Sequence, residues 1–400
     1  MVEIIDANDF DPDMLDGVSR QQMELVSMPK PYRTWREKED IPVHTGFYVE
    51  DLDEVATGDW DRTGQRGALV NLWGMEGLDD LQIHEIEPGG ETSEQHHFYF
   101  EMVYVMRGSG LTQIGHGENQ RRFEWDKHSC FAIPRNTPYK HVNLSGDESV
   151  KLVSHTDLPL VLDMALDEEF VFDSEFDFWN KYSQGDAYSA DGELGTRRVK
   201  SLDTEEQREF LLWHSNYIPD VTRFEEIVQE DWDNFGAMKA IFITWPILNH
   251  METEGEKIMH ISHIPQGRYK TAHRHEPGAN VLLSEGEGYT LLWNEQMADH
   301  GVKLRADWKP RSVVTPPGRW WHHHFNLSAE PAKQFAFHFP PIGTTNAFRT
   351  GRDGFRLSYY DEDHHTRELY QRELEARGLE FEMPDEVYED PDHELNRLAS

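Results

Sequence analysis

Four hundred residues allow two or three domains of ordinary size, and 21 Phe, 14 Tyr and 12 Trp within a 37% hydrophobic content exclude wholesale disorder. The formal charge of -37 excludes nucleic acid, whose phosphates it would repel, and anionic membrane surfaces, and fits solubility or salty surroundings instead. Cys130 stands alone, which excludes an intrachain disulfide and a thiolate zinc cluster.

Residues 1–66 read as a polar, acidic arm with a short helix around Ser19–Val26 and a connector at Pro29–Pro31. The first residues lack the apolar core of a signal peptide, and no apolar run approaches the ~20 residues a membrane-spanning helix needs. A cytoplasmic location without a membrane partner is expected. From residue 67 to 162 the chain becomes short apolar segments separated by turn signals. Ala68–Trp73, Leu81–Ile86, Met102–Met106, His128–Pro134 and His141–Asn143 read as strands, a spacing that suggests an all-β barrel or sandwich. Residues 163–235 are aromatic and acidic. Within them Thr204–Trp213 carries the period of an amphipathic helix and Gln184–Gly195 reads as a loop. Residues 236–345 return to strand patterning. The tail, 346–400, carries a charged helix over Asp363–Arg377 ended by Gly378, then an acidic extension through Asp385–Asp392.

An internal repeat links the two strand-rich regions. Gly108-Ser-Gly110 corresponds to Gly286-Glu-Gly288, and Asn143-Leu-Ser145 to Asn326-Leu-Ser328. Carried through, the repeat pairs Gln95 with His273, His97 with His275, Glu101 with Ala279, Tyr139 with His322 and His141 with His324.

Chemistry concentrates in the second copy. His273 and His275 are spaced i, i+2, so in a strand they share a face at roughly 7 Å, and His322 and His324 repeat that spacing. Imidazoles offered from two strands to one interior suit a divalent metal. His323 points the other way.

Gly267, His273-Arg274-His275, Gly286 and Gly288 resemble the first cupin motif, and Pro317, Gly318, His322 and Asn326 the second, with one extra residue between Gly and His. Within that superfamily the segments resemble the ring-cleaving dioxygenases that act on gentisate, salicylate and hydroxynaphthoate. The resemblance implies an all-β fold of two tandem cupin barrels (double-stranded β-helix jelly rolls), with helical arms at the termini and between barrels. It also implies iron(II) held by His273, His275 and His322, with Mn, Zn or Ni as alternatives, O2 as co-substrate, and a homodimer or higher homo-oligomer.

The usual fourth ligand, a Glu, falls at Ala279, with Asn280 the nearest polar residue. Three neutral imidazoles then leave the metal's charge uncompensated and its other positions open, which favours an anionic chelating substrate and oxygen chemistry. His324 is placed beyond the metal as a general acid or base. Trp293, Trp320 and Trp321 are placed as flat walls for an aromatic substrate. The family's carboxylate-holding Arg falls at Val281, so Arg319, Arg268 or Arg349 must replace it, or the substrate differs. In the first barrel His97, Glu101 and His141 remain as a degenerate second site. The leading expectation is a non-haem iron dioxygenase cleaving a phenolic or enolic substrate. The alternatives are a redox-neutral metal-dependent hydrolase, isomerase or lyase, and a non-catalytic binding or storage protein.

Overall fold

In the computed structural model the described residues are 2–11, 28–183, 186–192, 194–200, 207–213, 215–223, 233–235, 238–245, 257–275, 278–338 and 356–398. The helix expected around Ser19–Val26 lies outside them. The chain is all-β at heart: two tandem units, each built from one large and one small sheet. In the first unit the large sheet runs Tyr217–Ile218, Cys130–Ile133, Glu101–Arg107, Val150–Thr156, Asp80–Ile86, Gln65–Val70 and Val43–His44. The small sheet joins Tyr139–Asn143, Gly110–Ile114 and Arg121–Trp125.

The second unit repeats this plan. Its large sheet is centred on Lys257–Ile264, Ala332–His338 and Ala279–Glu285. Its small sheet orders Glu3–Asp6, Val302–Trp308, Gly288–Trp293, Trp321–Asn326 and Tyr269–His273. The N-terminal arm serves both units. Glu3–Asp6 pairs in parallel with Val302–Trp308 and Tyr48–Val49 pairs with Val313–Val314, whereas Val43–His44 pairs with the first unit's Gln65–Val70.

The two large sheets pack back to back. Ala68, Leu81, Ile83, Met102 and Tyr104 of the first unit share one core with Met259, Ile261, Leu282, Phe335 and Phe337 of the second. Val103 and Val105 turn to the other face, into the first unit's own interior. Burial on both faces explains why Met102–Met106 is an unbroken apolar run rather than an alternating one.

Two local expectations are corrected. Of the expected helix Thr204–Trp213, residues 204–206 lie outside the described residues, and Gln207–Trp213 is a strand paired with Leu194–Lys200 and joined to the second unit's large sheet. Ladder hydrogen bonds on both sides outweigh the weak helical preference of that stretch. The Pro29–Pro31 connector opens a helix, Lys30–Glu39, with a proline in its first turn, and Tyr32 and Trp35 bury against Leu158 and Leu162. The C-terminal helix spans His364–Ala376 and packs on the second unit. Asp363 caps it, accepting from the His365 amide at 3.0 Å, and Gly378 leaves it with φ +69°. Among the described residues no helix is long and apolar enough to cross a membrane.

Candidate metal centre

Strand alternation and one bulge build the site. In Trp321–Asn326 the side chains of His322 and His324 share a face, while Trp321, His323 and Phe325 share the other. Tyr269–His273 runs antiparallel beside it, Lys270 opposite His324 and His273 opposite His322. Two residues, Thr271 and Ala272, therefore oppose His323 alone. This bulge puts Lys270 and His273, three apart in sequence, on the same face. A regular strand would separate them.

His273, His275 and His322 each offer a ring nitrogen within 4.8 Å of the other two. Their ring centroids are 4.0 Å (His273–His322), 4.9 Å (His275–His322) and 5.9 Å (His273–His275) apart. His273 Nδ1 meets the Thr271 carbonyl at 3.1 Å and His322 Nδ1 meets the Trp320 carbonyl at 3.1 Å. A carbonyl only accepts, so each Nδ1 carries the proton and each Nε2 presents a lone pair, the tautomer a metal requires. Burial pushes both imidazoles well below the usual histidine range, and neighbouring imidazoles and Lys270 add to it. Both are neutral and ready to ligate.

His324 meets a hydroxyl rather than a carbonyl. Trp308 Nε1 donates to Thr290 Oγ1 at 3.2 Å, and that hydroxyl lies 2.9 Å from His324 Nδ1. The hydroxyl keeps a second lone pair and its own proton, so it can accept from Nδ1–H or donate to Nδ1; either way the contact fixes the orientation of the His324 ring. That ring stands 5.5 Å from His322 and 5.9 Å from His273. Burial, with Lys270 next, holds it neutral.

Two further interior groups escaped the sequence reading. His260 on Lys257–Ile264 is pushed well below its usual range by burial, then by Lys270 and His275. Lys270 is 5% exposed, and burial, with Arg356 next, drives its ammonium well below the usual lysine range. Arg356 pairs through its backbone with His273. Period-two alternation from Ile261 and Ile264 was the available signal for His260; nothing in the sequence marks the bulge.

Other expected site residues lie elsewhere. Trp293 and Trp321 stack on each other at 6.4 Å, on the face opposite the imidazole cluster. Arg274 lies over Trp321 at 4.4 Å and Lys303 over Trp293 at 4.3 Å. Trp320 packs against Phe47. None of the three is a wall of the imidazole pocket. The alternation that aims His322 inward aims Trp321 outward, a signal the sequence already held. His323, on that outer face, comes within 2.9 Å of Glu362, whose other oxygen accepts from Tyr269 at 2.6 Å. Asn280 is also not at the pocket: it donates to Asp79 of the first unit at 2.8 Å and accepts from Thr315 at 2.5 Å. Arg319 is exposed, its amide bonded to the His275 carbonyl at 2.9 Å, and Arg268 is half-buried beneath the C-terminal helix, its carbonyl accepting from Tyr370 at 2.9 Å. Arg349 lies outside the described residues.

In the first unit the corresponding place holds a carboxylate–imidazole network in which Glu101 Oε2, His141 Nε2 and both ring nitrogens of His84 are buried without a hydrogen-bond partner among the described residues. His97 Nε2 lies 2.7 Å from Glu101 Oε1, Tyr139 donates to the same oxygen at 2.5 Å, and His97 Nδ1 meets the Tyr99 carbonyl at 3.1 Å. Burial pushes the Glu101 carboxyl up, but the His97 hydrogen bond and charge, with His84 and Tyr139, outweigh it and bring it down to about 2. Gln95 turns away to the Arg62 and Ser93 carbonyls. His141 bonds Thr112 at 2.8 Å, and Trp125 donates to that threonine at 2.9 Å, the same relay as Trp308–Thr290–His324.

No family model and no curated protein matches the chain. Solved structures similar to it include an oxalate decarboxylase–formate complex from Lactobacillus farciminis: 12% identity, 74% of this chain and 87% of that one, TM-score 0.46. Bacillus subtilis oxalate decarboxylase, in a study of its Mn(II) centres, is 12% identical over 90% and 95% of the two chains, TM-score 0.46. Vicilin from hazelnut, Corylus avellana, is 12% identical over 73% and 85%, TM-score 0.42. At these identities and scores none of them bears on activity.

Proposed function

We propose that the second unit is a metal-dependent catalytic centre acting on a small, oxygen-bearing anionic substrate. The observation that carries this is the shared wiring of His273 and His322, whose Nδ1 protons are tied to carbonyls while their Nε2 lone pairs converge with His275. Fe, Mn, Zn and Ni all accept such a donor set. A divalent ion bound there would act as a Lewis acid on a substrate oxygen. The three histidines hold their positions without a carboxylate, because Ala279 stands where the first unit has Glu101. His324 faces an oxygen of bound substrate from the same side, and the imidazoles and Lys270 around it favour an anionic one.

The reading we favour is redox-neutral: a lyase, isomerase or hydrolase. The flat aromatic walls that pointed to a phenolic ring face away from the site, through Trp293 and Trp321. One observation keeps the ring-cleaving or enol-cleaving iron dioxygenase as the second reading: the missing carboxylate ligand leaves room for O2 beside a chelating substrate. Turnover of a panel of hydroxy, keto and phenolic acids by metal-loaded protein, with and without air, tests both. Conversion without O2 supports the first reading; conversion strictly coupled to O2 uptake overturns it in favour of the second. A protein that takes up no metal sinks both.

A further inference from the structure

We propose that Lys270 anchors a second anionic group of the substrate, so that the second unit takes a molecule carrying a carboxylate or similar oxyanion apart from the atoms that meet the metal. This rests on the metal reading above. The bulge at Thr271 and Ala272 aims Lys270 inward, directly across from His324 and on the same face as His273 and His322. A bulge is a departure from the ladder, and its effect here is to bring a cation to a face that a regular strand would deny it.

Lys270 makes no hydrogen bond or ion pair with any described residue, although only 5% of it is exposed. An ammonium withdrawn from water is costly unless something anionic meets it. Among the described residues the opposing wall supplies nothing of that kind. Val281 and Ala336 pair across their strands, Ala336 pairs with His260, and with Ala279 they form a small apolar cluster. These apolar side chains offer Lys270 no counter-ion. In the first unit the counterpart of Lys270 is Thr92, which accepts the His141 amide at 3.0 Å. Val281, where the sequence comparison expected a cation, is apolar, so the cation enters the second unit from a different strand.

The test is a titration of cobalt(II)-loaded protein with malonate and with acetate, followed by the cobalt visible spectrum. Malonate should bind at least about 10-fold more tightly than acetate. Lys270→Met should lose about 10- to 100-fold in malonate affinity, bringing it to the acetate level, while cobalt uptake is unchanged. Lys270→Arg should recover most of the loss, which a purely structural role would not show; Lys270→Gln, nearer in shape, replaces the Met variant if that fails to fold. Unchanged malonate affinity in a cobalt-loaded Lys270→Met protein overturns the proposal. If the wild-type chain takes up no cobalt, the metal reading has failed on its own. Calorimetric titration of malonate into metal-free wild type and Lys270→Met then decides: Lys270-dependent binding supports the anchor, and equal or absent binding overturns it.

Discussion

The two units share strand path, turn chemistry and even a buried relay, yet their inward side chains differ. Asn143 and Asn326 hold equivalent corners, each donating to backbone carbonyls and accepting from Ser145 or Ser328 at 2.8 Å. Trp125–Thr112–His141 and Trp308–Thr290–His324 repeat one another. The difference lies in four inward positions. Where the first unit has Thr92, Gln95, Glu101 and Tyr139, the second has Lys270, His273, Ala279 and His322. In the first, His97 and Tyr139 both bond the Glu101 carboxylate; in the second, the Nε2 atoms of His273 and His322 and the Lys270 side chain face inward together. The scaffold therefore accommodates either set of inward side chains.

The largest expected effect breaks that contrast outright. His322→Ala or His273→Ala should reduce metal content to background by elemental analysis, whereas His97→Ala should leave it untouched. Metal lost from the His97 variant would mean the first unit holds metal as well.

Next in size is the first unit's network. Glu101→Gln removes the buried carboxylate that His97 and Tyr139 both bond and should cost about 3–5 kcal/mol in denaturant unfolding. Glu101 is depressed in the folded state, so its contribution is present above its ordinary value of 4.5 and is lost as pH falls towards about 2. The variant should therefore show a flatter acid limb across that window in metal-free protein; parallel limbs would remove the ion pair from the comparison.

The relay gives a finer test. Thr290→Val should keep the metal but lower turnover about 10-fold, because His324 loses the hydroxyl that fixes the orientation of its ring. Thr112→Val in the first unit should leave turnover unchanged. Unchanged turnover in Thr290→Val as well would refute that role of the hydroxyl.

Smallest is the joint between the units. Asn280→Ala should cost about 1–3 kcal/mol by leaving Asp79 with one partner fewer, yet change the Michaelis constant less than about twofold. A large rise in that constant would return Asn280 to the substrate.

Much of this was legible in the residues. Strand-length apolar runs, the repeated Gly-x-Gly and Asn-Leu-Ser segments and the i, i+2 histidine pairs pointed to two all-β units and to His273, His275 and His322, which the fold brings together. Alternation alone would also have turned Trp321 away from His322. What stayed hidden depends on contacts between distant parts of the chain. Asn280 meets a partner 201 residues earlier, in another unit. Lys270 reaches the site through a bulge that leaves no mark on hydrophobic periodicity. Gln207–Trp213 became a strand because of its neighbours, against its own local pattern.

The N-terminal arm has a consequence for how the chain can be assembled. During synthesis from the N-terminus, Glu3–Asp6 and Tyr48–Val49 emerge long before Val302–Trp308 and Val313–Val314, the strands they pair with. The first unit can condense early, but its leader must stay unpaired until nearly the whole second unit has left the ribosome. Closing that last, longest-range ladder is a late and slow event. A chain that stalls before it would expose two unpartnered edges, and its acidic surface, repelling like copies, is then what keeps the waiting intermediate apart from its neighbours.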